Sequence, residues 1–120
     1  MSQNDSETTF DFGSGPVPAH QHPNGGGWVA DTAHVDDTAY VAPLACVYDY
    51  ACVYDTSAIV HNARVYEHAC VCENSLVSHN SRVYGNAKLT DETFIRDTVQ
   101  VCGEAVLVNA RLKGDICINE

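Results

Sequence analysis

The chain has 120 residues, with 16 acidic and six basic side chains and a net charge of −10. This length limits it to one domain. The charge argues against nucleic acids and anionic lipids as partners, because polyanions would be repelled. No apolar run approaches the roughly 20 residues that span a bilayer, and the N-terminus lacks the basic and apolar regions of a signal peptide. We therefore expect no membrane partner, and a location in the cytoplasm, or in a virion if the chain is phage-encoded.

Residues 1–26 show no periodicity and predict an irregular N-terminal arm. They are rich in Gly, Pro, Ser and Asn, as in a disordered tail, and Phe10 and Phe12 are their bulky apolar residues. The alternative is a docking arm, because the two phenylalanines alternate around Asp11 as in a short strand. The glycines at 25–27 would then be a flexible joint, and the arm could fold over the first coil or reach another molecule.

A six-residue repeat fills residues 27–120, which we predict to be the folded domain. Every sixth position from Val29 to Leu107 holds Val, Ile or Leu, and a small residue stands two positions earlier except at Val99. The frame slips by one residue after Leu107 and resumes at Leu112 and Ile118.

Each repeat predicts a short strand followed by a corner. Residues two apart on a strand point to the same face, so each repeat places one large and one small side chain in a common interior. The intervening pairs, such as His61-Asn62 and Gly85-Asn86, are typical of tight corners. Three repeats make a triangular coil of about 18 residues, and the chain holds about five such coils. The predicted fold is therefore an all-β solenoid.

The repeats also resemble a known family. Residues 62–66, Asn-Ala-Arg-Val-Tyr, and residues 85–89, Gly-Asn-Ala-Lys-Leu, are similar to the hexapeptide repeat of left-handed parallel β-helix proteins. The match covers residues 27–118, and residues 22–30 resemble the start of uncharacterised bacterial and phage hexapeptide-repeat proteins. The resemblance implies a left-handed parallel β-helix, and homotrimers packed side by side.

Outward side chains one coil apart should form columns. Tyr48, Tyr66 and Tyr84 form one, which is either a self-stacking ladder or an aromatic platform for a ring, a sugar or a partner protein. Together with Phe10 and Phe12 they are the predicted partner-binding residues.

A second column is apolar and predicts an interface between copies. It contains Tyr40, Val60, Leu76 and Phe94, and soluble monomers usually avoid such a patch. We expect these residues to be buried in the homotrimer.

Two corners collect titratable side chains. His61, His79 and Asp97 are interpreted as turn residues that point to water, with a metal-like cluster as the weaker alternative. At another corner, four carboxylates predict a solvated acidic edge or, alternatively, a Ca²⁺ or Mg²⁺ site: Asp37, Asp55, Glu73 and Asp91. We expect no resident metal and no cofactor.

The six cysteines include no Cys-x-x-Cys motif, which makes a zinc or thioredoxin-like site improbable. Free thiols suit a reducing compartment. Cys52 and Cys70 would lie one coil apart, within reach of a disulfide.

The repeats predict an interaction protein rather than an enzyme. Hexapeptide-repeat acyltransferases carry a loop thrown out from a corner, whereas the repeat here runs from Val29 to Leu107 without insertion. We expect a non-catalytic structural or protein-interaction module, such as a phage virion or host-interaction component, that binds another protein through its arm. The alternative is a small acyltransferase-like enzyme or ligand binder, whose general base would be one of four histidines: His34, His61, His68 or His79.

Overall fold

The computed structural model describes residues 8–119, and it contains no α-helix within that range. Stacked parallel strands form a solenoid of about five turns, each about 18 residues after the one before. The predicted all-β solenoid is therefore confirmed. Residues 1–7 of the predicted arm and Glu120 of the predicted domain lie outside the described residues. Among the described residues, a helix with the length and apolar character needed to cross a membrane is absent.

The strands lie in three sheets, which we number in the order in which the chain visits them. Sheet 1 contains β1 (Thr9–Asp11), β2 (Pro16–Gln21), β3 (Trp28–Ala30), β6 (Cys46–Val47), β9 (Arg64–Val65), β12 (Arg82–Val83), β15 (Gln100–Cys102) and β18 (Cys117–Asn119). Sheet 2 contains β4 (His34–Val35), β7 (Cys52–Val53), β10 (Cys70–Val71), β13 (Lys88–Thr90) and β16 (Val106–Val108). Sheet 3 contains β5 (Tyr40–Val41), β8 (Ala58–Ile59), β11 (Leu76–Val77), β14 (Phe94–Ile95) and β17 (Arg111–Leu112).

Successive turns are aligned residue by residue. Val47 of β6 pairs with Val29 in the turn before it and with Val65 in the turn after it, an offset of 18 residues on each side. Between β14 and β17 the offset falls to 17, because Phe94 pairs with Arg111. The frame slip in the sequence therefore shortens the last turn by one residue and leaves the pairing intact.

The interior of the solenoid repeats the same two layers from turn to turn. In the central turns the second residue of each short strand, such as Val47 or Ile59, is fully buried, whereas the corresponding residues of β4, β16, β17 and β18 near the two ends are half-buried. The small residue two positions earlier, such as Ala45 or Ala63, is buried as well. Burying each Val or Ile side chain stabilises the fold by about 1.5–3 kcal/mol, so this column is the main source of stability.

After the first turn of the solenoid, the chain turns each corner through a residue with a left-handed backbone. We call the corner between sheets 1 and 2 corner A, the next corner B, and the corner that returns to sheet 1 corner C. The φ angles of these corner residues lie between 54° and 87°. Corner A has Asp49, Glu67, Gly85 and Gly103; corner B has Asp55, Glu73, Asp91 and Asn109; corner C has His61, His79, Asp97 and Gly114.

Side chains at the corners satisfy backbone amides of the neighbouring turn. At corner B the N–H of Glu73 donates to Asp55 Oδ2 at 3.1 Å, and the N–H of Asp91 donates to Glu73 Oε1 at 2.6 Å. At corner A the N–H of Glu67 donates to Asp49 Oδ2 at 3.2 Å. Each bond gives the amide of a corner residue a protein partner in the turn before it. Side chains with an acceptor atom can therefore occupy positions whose backbone conformation favours glycine, because they contribute this bond.

At the corner position of Gly85, a side chain is excluded both by lack of space and by the backbone conformation. A Cβ atom there would lie 2.8 Å from the backbone nitrogen of Gly103 in the next turn. Its φ of 69° adds a conformational penalty for any other residue.

The arm is more regular than the sequence predicts. An irregular segment was expected over residues 1–26, but β1 and β2 pair as antiparallel strands, and β2 pairs antiparallel with β3 at the edge of sheet 1. That expectation is wrong for these strands because tertiary contacts, rather than a repeat, determine their conformation. The arm docks on its own solenoid, which confirms the alternative in which it folds over the first coil.

The loop between β2 and β3 covers the first turn of sheet 3. The N–H of Gly27 donates to the carbonyl of Val41 at 2.9 Å, and the N–H of Val41 donates to that of Asn24 at 3.1 Å. The buried His22 donates from Nε2 to the carbonyl of Ala39 at 2.8 Å. Two of the three sheets are therefore covered at the N-terminal end of the solenoid.

We predict that Ser81→Ala stabilises the protein. The Ser81 hydroxyl is fully buried in the interior, and among the buried side-chain polar atoms of the described range it is the one that lacks a hydrogen-bond partner. Removing it should raise the free energy of unfolding by about 1 kcal/mol in urea denaturation. The matched control is Ser57→Ala, since that hydroxyl donates to the carbonyl of Glu73 at 2.9 Å. This control should lower the same free energy by roughly 1 kcal/mol. Equal effects of the two variants would contradict the prediction.

Candidate interaction surface

The tyrosine column on sheet 1 is a self-stacking ladder. The ring centroids of Tyr48 and Tyr66 are 4.9 Å apart with planes 3° from parallel, and those of Tyr66 and Tyr84 are 5.0 Å apart at 6°. Both faces of the Tyr66 ring are covered by its neighbours, so this ring presents its edge and hydroxyl group outward. The tyrosines therefore form the self-stacking ladder, and the stacked faces of Tyr48 and Tyr66 are not open to the ring of a ligand.

The arm extends this ladder by one ring and forms a second aromatic stack beside it. Phe12 stacks on Tyr48 at 4.7 Å between centroids, and Phe10 stacks on Trp28 at 4.8 Å. Phe12 is only 9% exposed. The two phenylalanines predicted to bind a partner are therefore engaged by aromatic rings of their own chain. We call Phe12, Tyr48, Tyr66 and Tyr84 the aromatic ladder.

Polar contacts hold the arm in place beside the ladder. Nη1 of Arg64 donates to the carbonyl of Phe12 at 3.1 Å and lies 3.5 Å from the hydroxyl of Tyr48. In the turn between β1 and β2, Asp11 Oδ1 accepts the N–H groups of Gly13 and Gly15 at 2.7 and 3.1 Å. Burial raises the pKa of the Tyr48 hydroxyl, so this phenol stays neutral at physiological pH.

A groove lies between the arm, the edge of the aromatic ladder and corner A. It encloses about 560 Å³, and its floor includes Tyr48 and Tyr66. Asp31, Asp49 and Glu67 line it, and none of its lining residues is basic. We call it the arm groove. Its electrostatic field favours a cationic group over an anionic one.

Three residues of the predicted apolar column lie in register on sheet 3, and the fourth lies beside them. Tyr40 pairs with Ala58, Leu76 pairs with Ala58 and Phe94, and Val60 follows β8 and packs partly against the interior. Tyr40 is 39% exposed, and Val60, Leu76 and Phe94 are half-buried. We call Tyr40, Val60, Leu76 and Phe94 the apolar face.

The corner C histidines take part in the corner hydrogen bonds. His61 Nδ1 accepts the N–H of His79 at 3.3 Å, and the two rings stack at 4.7 Å between centroids. Asp97, the third residue of this weak metal candidate, accepts the N–H of Gly114 at 2.8 Å. In the described part of the chain, no group of three or more His, Cys, Asp or Glu side chains is placed to hold a metal ion.

The acidic edge at corner B differs from the prediction in its first member. Asp36, not Asp37, reaches the next turn, where its Oδ2 accepts the N–H of Asp55 at 2.7 Å. That bond and a 2.7 Å contact with His34 lower the pKa of the Asp36 carboxyl. The sequence prediction chose Asp37 because it lies 18 residues before Asp55. The first turn, however, lacks a left-handed residue at this corner. Asp36 therefore takes the place of Asp37 in contacting the next turn.

The surroundings of Glu73 raise the pKa of its carboxyl, whereas those of Asp36 lower it. A side-chain hydrogen bond with Asp91 raises the pKa of the Glu73 carboxyl, the nearby charge of Asp91 adds to this effect, and the N–H of Asp91 offsets part of it. The carboxylates of this edge therefore repel one another, while Asp36, Asp55 and Glu73 each accept a backbone amide of the next turn.

The six cysteines are free thiols. Cys52 and Cys70 pair in register on sheet 2, one turn apart, as the sequence predicts. Burial raises the pKa of the Cys46, Cys70 and Cys72 thiols, which lowers the thiolate fraction and their reactivity.

Sequence reasoning missed two residues of this surface. Trp28 provides the ring on which Phe10 stacks, but it is not one of the interior positions of the repeat. His22 lies outside the repeat, yet it is buried and fastens the loop that joins the arm to the solenoid. A lone polar residue outside the repeat carries no periodic signal that would have identified it.

These features define the chain as a parallel β-solenoid whose N-terminal arm covers one end. No family model matches the chain, and neither a curated protein nor a solved structure shows significant similarity to it.

We predict that Phe10→Ala releases the arm from Trp28. Trp28 is the single tryptophan of the chain, so its emission reports this contact directly. Its fluorescence maximum should shift to longer wavelength, and the stability should fall by about 1 kcal/mol through loss of the ring pair. The control is Thr9→Ala, an exposed residue of the same strand, which should leave the emission unchanged. An unshifted spectrum in Phe10→Ala would refute the docked arm.

We predict that Glu73→Gln stabilises the protein at neutral pH. Glutamine keeps an oxygen for the N–H of Asp91 and removes the repulsion. Because the pKa of Glu73 is raised in the folded state, its contribution to stability falls as pH rises through that value. The gain over wild type should therefore appear at pH 7 and vanish below about pH 4, where wild-type Glu73 is also neutral. Denaturation midpoints measured across this range test the prediction. Glu104→Gln, an exposed control with the same charge change, should lack this pH-dependent gain.

Proposed function

We propose that the protein is a non-catalytic protein-interaction module, and that its partner binds in the arm groove. The observation that carries this proposal is the folding of the arm onto the aromatic ladder. That contact turns an otherwise convex solenoid flank into a concave surface of about 560 Å³. Binding sites are typically concave, with apolar walls and a few charged groups.

The charge of the arm groove supports a partner segment that carries Lys or Arg. Asp31, Asp49 and Glu67 lie along it without a basic residue among its lining side chains. The net charge of −10 adds long-range attraction for a basic segment and increases its association rate. Apolar side chains of the same segment would contact the ring edges of Tyr48 and Tyr66.

The proposed module acts as a homo-oligomer, a homotrimer by analogy with hexapeptide-repeat proteins. The apolar face supports this, because Tyr40, Val60, Leu76 and Phe94 extend over four successive turns of one flank. We also propose that the coil is left-handed and that the chain is related to those proteins. The six-residue period and the turn of about 18 residues support this relation.

The partner-binding proposal is tested by affinity capture from the source organism with matched variants. Deleting residues 1–22 removes the arm, while Glu67→Gln removes a charge and keeps an acceptor for the N–H of Gly85. We expect the deletion to abolish capture of a defined partner and Glu67→Gln to weaken it several-fold, more at low salt than at high salt. The controls His61→Ala and His79→Ala should capture it normally.

An acyl-CoA turnover assay separates this function from the acyltransferase alternative. Capture that survives deletion of residues 1–22, together with turnover that is lost in a histidine variant, would overturn the proposal. The proposal expects the purified protein to show no such turnover.

The homo-oligomer prediction has its own test. The double variant Leu76→Ser with Phe94→Ser removes the apolar side chains of two adjacent turns. Light scattering should give a trimer mass for the wild type and a monomer mass for the variant, since burial of these side chains would drive association. A monomeric wild type at micromolar concentration would contradict the prediction.

A further inference from the structure

A second groove lies on sheet 3, at the end of the solenoid away from the arm. It spans three successive strands, β11, β14 and β17, on which Leu76, Phe94 and Arg111 pair in register. Its volume is about 440 Å³, within the usual range for small-molecule sites. Six of its lining residues matter here: Leu76, Ser78, Phe94, Arg96, Arg111 and Lys113.

Three of the six basic residues of the chain meet in this groove, and its lining includes no acidic side chain. We call it the cationic groove. Its charge is opposite in sign to the net charge of −10. Arg111 lies 3.6 Å from Glu92, but both side chains are more than half exposed, so this pair is weak. The groove is therefore a local positive site on an acidic protein.

The positive charges are placed where they repel one another. Arg96 and Lys113 directly follow the paired residues Ile95 and Leu112, so they occupy adjacent turns. Like charges opposite each other on neighbouring strands are destabilising. A bound anion between them would relieve this repulsion.

The floor of the groove is apolar. The guanidinium group of Arg111 lies over the ring of Phe94, 4.4 Å from its centroid, and Leu76 adjoins this ring. The Ser78 hydroxyl donates to the carbonyl of Ile95 at 3.1 Å, so it has no hydrogen left to donate to a ligand. The small Ser78 side chain also leaves space beside Phe94. A ligand that fits must therefore combine a negative group with an apolar body.

We propose that the cationic groove binds a small amphipathic anion, a carboxylate or phosphate ester attached to an apolar chain or ring. Arg96 and Lys113 contact the anionic group, and Leu76 and Phe94 contact the apolar body. The site lies on sheet 3 and is separate from the arm groove on sheet 1. It shares Leu76 and Phe94 with the apolar face, so a bound ligand and the packing of a second copy compete for these two side chains.

Titration calorimetry with three probes tests the chemistry of the groove. Decanoate has both required parts, decyltrimethylammonium has the same chain with the opposite charge, and inorganic phosphate has the charge alone. All are kept below any micelle-forming concentration. Decanoate should bind at least tenfold more tightly than either other probe. Equal binding of decyltrimethylammonium would overturn the proposal, because attraction to the whole acidic chain favours that cation.

Two double variants with equal charge change test the location. Arg96→Gln with Lys113→Gln should weaken decanoate binding at least tenfold. The control, Arg82→Gln with Lys88→Gln, removes two positive charges from sheets 1 and 2 and should change affinity less than twofold. Equal weakening by both pairs would assign the effect to net charge and overturn the site. Circular dichroism checks that each variant is folded. Light scattering of the decanoate complexes must give the same oligomeric state for both double variants, so that a difference in affinity is not caused by a difference in assembly.

Discussion

Residue-by-residue alignment of successive turns is the constraint on which the rest of this structure depends. A parallel ladder continues only if each turn brings its strands back into register with the turn before, so each corner must redirect the chain within a few residues. From the second turn on, one residue with a left-handed backbone does this at each corner, as at Glu67 in corner A and Glu73 in corner B. The amide of that residue is then satisfied by the side chain of the corner residue one turn before. Corner conformation, corner composition and turn length are therefore consequences of one requirement.

The same alignment stacks similar side chains in successive turns, and the effect of this stacking on stability depends on the chemistry of the side chain. Stacked tyrosines gain contact area and favourable ring geometry, so the aromatic ladder stabilises sheet 1. Stacked carboxylates gain backbone hydrogen bonds but repel, and the raised pKa of Glu73 reflects that repulsion. The proposed anion site is a third case, in which the repulsion between Arg96 and Lys113 is relieved by a ligand.

The sequence predicted those features that the repeat itself encodes. The interior positions, the tyrosine and apolar columns, the pairing of Cys52 with Cys70 and the shortened last turn all follow from counting six residues at a time. The antiparallel strands of the arm could not be found this way. They depend on the stacking of Phe10 on Trp28, a contact between residues that share no periodic relation. Asp36 replaced Asp37 for a related reason, since the first turn lacks the corner geometry that the rule assumes.

The cover over the N-terminal end has a consequence for how copies of the solenoid can meet. Unpaired strand edges are templates for adding another chain, and a fibre built by end-to-end stacking needs such a template at both ends of every subunit. Here β2 covers the solenoid strand β3 and leaves only the three-residue strand β1 outermost in sheet 1, the loop at residues 24–27 covers the edge of sheet 3, and sheet 2 presents the two residues of β4. Strand pairing with another copy at this end is therefore limited to two very short, separate strands, and a further coil cannot continue all three sheets in register. The docked arm thus acts against growth of a fibre by end-to-end stacking of solenoids.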